Sequence, residues 1–226
     1  MASPPAAARQ AARASLAVRR RRALRIIQAL HETYPEADCA LRHGSAWQLL
    51  VATILSAQCT DTRVNKVTPV LFRQYRSIRS FARAGRSALE ETIRSTGFFR
   101  SKARSIQEAA RHIIEKHGGR VPSSMEDLTR LPGVGRKTAH VVRGTWFHLP
   151  AITVDTHVGR LSRRLGLTLN LDPVKVERDL EKVLPEADRT FTSHALIWHG
   201  RQVCQARKAD CGACHLSRLC PSAGRL

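Results

Sequence analysis

The strongest constraint on the fold is the spacing of apolar residues, which recur three and four positions apart through almost the whole chain from Trp47 onward. Segments such as "AWQLLVATILSAQ", "ARSIQEAARHIIEKHGG", "RKTAHVVRGTWF", "VDTHVGRLSRRLGL" and "VERDLEKVL" carry this pattern. It places one apolar stripe along a helix. No stretch alternates with period two long enough to build a sheet, so the chain is predicted to be all-α. Local chemistry marks the boundaries: Gly118 and Gly119 end one helix, and Ser123 with Glu126 forms a capping box that starts the next. An N-terminal helix is expected through Leu24, Ile27 and Leu30. With 226 residues, 42% of them hydrophobic, the chain can bury the cores of one large or two small domains.

Charge narrows the partner. The chain has 38 Lys and Arg against 18 Asp and Glu, a net charge of +20, far more than solubility requires. A polyanion is implied. Nucleic acid fits better than a membrane surface, because the basic residues are spread along the chain and no run of about 18 apolar residues appears. Residues 1–23 contain no acid and read as a flexible basic arm that would add phosphate affinity independent of sequence. Without an apolar stretch suited to secretion, the expected location is the cytoplasm, associated with the nucleoid through DNA; organellar targeting by the basic arm is a minor alternative.

One short stretch concentrates this charge. "LPGVGRKTAH", residues 131–140, joins predicted helices at residues 124–131 and 136–147 through Pro132, Gly133, Val134 and Gly135. The glycines permit positive φ and leave backbone N–H groups bare at a helix start, where the helix dipole, Arg136 and Lys137 converge. That combination suits a phosphate oxygen. A tight helix–helix connection would also need glycine, and only the basic flank and overall charge separate the two readings.

Four of the six cysteines crowd the C-terminal end as Cys204-x6-Cys211-x2-Cys214-x5-Cys220. Structural disulfides are not expected without a secretion signal. Four clustered thiolates suit a tetrahedral zinc or an iron–sulfur cluster, and the residues alone leave both open. Arg207 and Lys208 lie inside the first interval, either solvated or meeting a nucleic-acid backbone. Cys39 and Cys59 are expected to be ordinary reduced thiols.

The hairpin stretch, together with "ILSAQCTD" at residues 54–61, "GFFRSKA" at 97–103, "VDTHVGR" at 154–160 and the cysteine pattern, resembles the endonuclease III family of DNA repair glycosylases. The resemblance covers roughly residues 24–220. It implies two helical domains with a DNA-binding cleft between them: a six-helix barrel at residues 39–149, carrying the helix-hairpin-helix at about 124–147, and a cluster domain at 150–226. The helix at residues 24–38 would pack with the cluster domain.

The family also implies roles. The six, two, five cysteine spacing resembles its [4Fe-4S] site. Lys137 would be the nucleophile, attacking the sugar to form a Schiff base, which requires a neutral amine; a first-turn position, Arg136 and partial burial would favour that form. Asp155 would assist, although it also suits a helix N-cap. Gly133, Val134, Gly135 and Arg136 would contact DNA. Gln58 would fill the gap left by an extruded nucleotide, and Phe98 would be a wedge where the family commonly has leucine. His140 stands where asparagine is usual. The implied activity is a monomeric bifunctional glycosylase and abasic-site lyase acting on duplex DNA with oxidised pyrimidines or abasic sites. An adenine-removing relative would need a carboxylate in "WQLLVATILSAQ", which has none, and a binding module without chemistry would not need both Lys137 and Asp155.

Overall fold

The computed structural model describes residues 4–225. Helices account for the regular structure of those residues, and the only pairing of extended backbone among them is an isolated bridge between Cys204 and Ala209. In chain order the α-helices are α1 (Ala6–Arg13), α2 (Leu16–Thr33), α3 (Ala46–Leu55), α4 (Asp61–Gln74), α5 (Ile78–Arg83) and α6 (Arg86–Ile93). Then follow α7 (Phe99–His117), α8 (Met125–Arg130), α9 (Arg136–Val141), α10 (Thr156–Arg164), α11 (Pro173–Val183) and α12 (Arg189–Gln202). None is long and apolar enough to cross a membrane.

The chain divides into two compact units, Cys39–Leu149 and the described parts of Met1–Asp38 with Pro150–Leu226. In the continuous unit, α3 is buried nearly all round, with Trp47, Leu49, Leu50, Val51, Ile54 and Leu55 in the core. A helix apolar on every side has to sit at the centre, and α4, α7 and α9 pack around it. Ser45 caps its start by accepting from Gln48 N. Ile106, Ala109, Ala110 and Ile113 of α7 fill the same core, and Gly118 and Gly119 end α7 at φ of 58° and 79°. The Gly119 N–H then reaches back to the Ile113 carbonyl at 3.0 Å. The helix after it starts at Ser124, which accepts from Asp127 N at 3.0 Å, so the cap falls one residue later than the Ser123 expected.

In the discontinuous unit, Ala23, Ile26, Ile27 and Leu30 of α2 pack with apolar residues of α10, α11 and α12. Leu24, expected inside, is 52% exposed: the buried stripe runs through Ala23 and Ile26 instead. The flexible arm is corrected more strongly. Residues 1–3 lie outside the described residues, but α1 and the first turns of α2 are helical within the rest. Ala8 and Ala12 are buried, and α1 packs against α10. A Cβ on Gly166 would stand 2.7 Å from that of Ala11, so the turn after α10 takes glycine to admit α1. Arg22 fixes the contact by donating to the carbonyls of Ala11 at 3.0 Å and Gly166 at 3.2 Å. Small side chains that allow close approach, rather than charge, decide this segment.

Candidate functional site

The hairpin between α8 and α9 is built on one position that only glycine suits. Gly133 has φ of 77°, and a Cβ there would lie 2.5 Å from the Ser105 Cβ of α7, so conformation and close packing both demand glycine. Gly135 is different: its φ of −89° is open to any residue, and it serves as N-cap of α9 with empty space where a Cβ would go. Val134 departs from expectation, because its N–H closes the turn onto the Leu131 carbonyl at 3.0 Å and its side chain is buried in the core. Phosphate contact would fall to the N–H groups of its neighbours and of the first turn of α9.

Lys137 is exposed on that first turn and has no hydrogen-bond or ion-pair partner among the described residues. The partial burial expected for it is not there in the free chain. His140 is buried one turn later, so the two side chains do not meet the same environment. Past Val141 the helix widens into a π turn over Val142–Trp146.

Gln58, Phe98 and Gly133 line one pocket, together with Ser101, Lys102 and Ser105 of α7. Gln58 and Phe98 share an unusual backbone, at φ of 53° and 48°, in the left-handed region that non-glycine residues rarely adopt. Phe98 is 65% exposed and so stands outside the core. Two strained, exposed side chains on one rim are a common mark of a binding surface.

Asp155 lies in the other unit, at the N-cap of α10. Its Oδ1 accepts from both His157 N and Val158 N at 2.8 Å, which leaves Oδ2 outside the cap. Capping therefore occupies one carboxylate oxygen and not the other. His157 packs against Gly200, where a Cβ would come within 2.8 Å of its Nδ1, and accepts from Arg160 at 3.2 Å. Burial pushes its pKa down, against the pull of Asp155, so the ring stays neutral and can accept.

Cys204, Cys211, Cys214 and Cys220 line a second pocket whose other walls include Leu161, Leu165 and Leu216. All are free thiols. Arg164, the last residue of α10, braces the loop by donating to Cys204 Sγ at 3.1 Å and to the carbonyls of Gln205 at 2.9 Å and Ala206 at 3.0 Å. Arg160 donates to the carbonyls of Gly200 and Cys204. Arg207 and Lys208 stand exposed just beyond, enclosed by the bridge between Cys204 and Ala209. On the far wall, His199 Nε2 is 3.3 Å from Cys214 Sγ while its Nδ1 meets the Tyr34 hydroxyl at 2.9 Å. Burial holds His199 down at about 4, so its ring is neutral, with one nitrogen donating and the other accepting.

The donor set suits a cationic cluster. Burial pushes the Cys220 thiol up to about 11 and raises Cys214, and the other thiolates oppose ionisation further, while the Leu216 and Ser222 N–H groups favour it. Four thiolates this close require positive charge among them. Among the described residues no three Cys, His, Asp or Glu side chains close tightly enough to ligate a single ion.

Sequence reasoning overlooked Lys102 and Arg164. Each reads as an ordinary basic residue in a helical pattern, and each donates to at least one carbonyl more than forty residues away. Ser105, whose contact enforces Gly133, carried no signal either.

Comparison with known proteins places these features. Residues 51–186 match the HhH-GPD superfamily base excision DNA repair protein model. The chain is 54% identical over 209 residues to the endonuclease III of Synechocystis sp., covering 92% of this chain and 95% of that one. It is similar, at a TM-score of 0.84 and 42% identity, to a non-covalent endonuclease III–DNA complex, over 89% of this chain and 94% of that one. The same TM-score and identity relate it to a trapped endonuclease III–DNA covalent intermediate, over 89% and 95% of the two chains. The chain belongs to the endonuclease III family, within the HhH-GPD superfamily of base excision DNA repair proteins.

Proposed function

We propose that this chain is a bifunctional DNA glycosylase and abasic-site lyase that removes oxidised pyrimidines from duplex DNA, with Lys137 as its nucleophile and Asp155 as its assistant. The observation that carries this reading is the exposed, unpaired amine of Lys137 beside the glycine-framed hairpin, in a chain similar over most of its length to a trapped protein–DNA covalent intermediate. The Gly133 and Gly135 N–H groups and Arg136 grip phosphate, which brings the amine to the sugar. The amine nitrogen bonds to C1′ as the bond from C1′ to the base breaks, and the base leaves with a proton. Opening of the sugar ring yields an imine, and loss of a C2′ proton expels the 3′ phosphate. Asp155 has its Oδ2 available to stabilise the developing positive charge or to relay those protons. Gln58 and Phe98 fill the space left by the extruded nucleotide.

Cys204, Cys211, Cys214 and Cys220 hold a [4Fe-4S] cluster. When bound, it supplies a cationic core that ties four points of an otherwise irregular loop together. Arg207 and Lys208 on that loop touch the DNA backbone, and the enzyme works as a monomer in the cytoplasm.

Borohydride reduces an imine irreversibly and so tests the assignment. Incubation with abasic-site duplex and borohydride should yield a covalent protein–DNA complex, and Lys137→Gln should abolish it while duplex binding is largely retained. Cross-linking of that variant at near the original rate would assign the nucleophile to another amine.

A further inference from the structure

Lysine side chains are seldom buried unless paired with an acid, because removing an ammonium from water is costly. Lys102 is only 5% exposed, and no acid pairs with it among the described residues. Its Nζ instead donates to two carbonyls from distant parts of the chain, Leu55 and Thr96, each at 2.8 Å. Leu55 is the last residue of α3, and Thr96 is the last residue of the short 3-10 turn Arg94–Thr96. Both carbonyls stand where a helix runs out of internal donors, and the C-terminal end of α3 favours a cation. Burial lowers the Lys102 pKa from its ordinary value.

What lies just beyond those carbonyls gives the contact its meaning. Gln58 follows Leu55 by three residues and Phe98 follows Thr96 by two, and these are the two strained left-handed residues on the rim of the pocket that Lys102 also lines. Strained backbone persists only where its surroundings over-determine it. Local bonds brace each loop separately, Ser56 to Thr53 on one and Ser101 to Phe98 on the other. Lys102 joins one loop to the other. An apolar side chain in the same space would leave both buried carbonyls without a donor, so the position calls for a group that can donate to the two loops at once.

We infer that Lys102 is a positioning residue that sets the spacing between Gln58 and Phe98, so that both enter the DNA stack together. The inference rests on the reading of Gln58 and Phe98 as the residues that fill the extruded nucleotide's place. Lys102→Met keeps most of the apolar stem and removes the donors. Single-turnover cleavage of an abasic site should be compared in duplex, where the stack has to be opened, and in single-stranded DNA, where it does not. The loss on duplex should exceed the loss on single strand by about ten- to hundredfold, the scale expected when a positioned group moves by roughly 1 Å. The fluorescence rise of 2-aminopurine opposite the site should shrink in parallel.

Lys102→Gln, too short to reach both carbonyls but still a donor, should show a smaller duplex-specific loss, and it decides the matter should the methionine variant not fold. Equal losses on both substrates, or no duplex-specific loss in the glutamine variant, would overturn the inference. Phe98→Ala and Gln58→Ala are measured alongside. If neither shows a duplex-specific loss, the wedge reading itself fails; if they do and the Lys102 variants do not, only the role of Lys102 fails. Adding Lys102→Met to Phe98→Ala should cost less than the product of the two separate losses, because both act on one step.

Discussion

The pocket rimmed by Gln58 and Phe98 and the pocket lined by the four cysteines solve opposite problems with the same kind of side chain. The first keeps two residues exposed and strained at φ near 50°, and a buried lysine holds their loops from behind through two carbonyls. The second turns its cysteines inward along a loop that has only an isolated bridge and one short 3-10 turn, and Arg164 braces that loop from its edge through two carbonyls and a sulfur. In both, a cation substitutes for the backbone pairing that a helix or sheet would supply. The difference lies in what each holds. The first stores strain that should serve binding, whereas the second concentrates thiolates and should matter mainly for stability. Substitutions in the two regions ought therefore to separate rate from stability.

The largest effect should come from Lys137→Gln, lowering single-turnover strand cleavage by about a thousandfold or more, the scale for loss of a nucleophile, with an unchanged melting temperature. Asp155→Asn should follow, at about a hundredfold in rate. Asparagine caps a helix as well as aspartate does, so stability should change little; a matching fall in melting temperature would reduce Asp155 to a cap. Phe98→Gly sharpens the contrast most directly. Glycine relieves the left-handed strain, worth about 1 kcal/mol in equilibrium unfolding, while duplex cleavage should fall by about tenfold. A variant that is neither more stable nor slower would place no stored strain at this site.

In the other pocket the order should invert. The purified protein should be yellow-brown, absorb near about 400 nm and contain roughly four irons per chain. Arg164→Met, which removes three donated hydrogen bonds, should lower stability by about 1–2 kcal/mol and hasten loss of the 400 nm band, with little change in the rate on freshly prepared enzyme. Colourless protein with stoichiometric zinc would replace the cluster assignment. The smallest effect belongs to Arg207→Ala or Lys208→Ala, each of which should reduce the dependence of log K on log salt by up to about one unit without altering stability.

Helices, the hairpin and the cysteine set were legible in the sequence because each is written in residues close together along the chain: apolar spacing, glycines beside a basic pair, four thiols within one short segment. The family followed from the same local stretches. Tertiary structure alone decided that α1 docks through Ala8 and Ala12, that Leu24 faces out, and that Val134 spends its N–H on the turn. It alone gave Gln58 and Phe98 their left-handed backbone and seated Lys102 and Arg164 against carbonyls remote in sequence. Periodicity records which face of a helix is apolar, whereas the partner of a long basic side chain depends on which backbone carbonyls packing brings within its reach, and no local pattern encodes that distance.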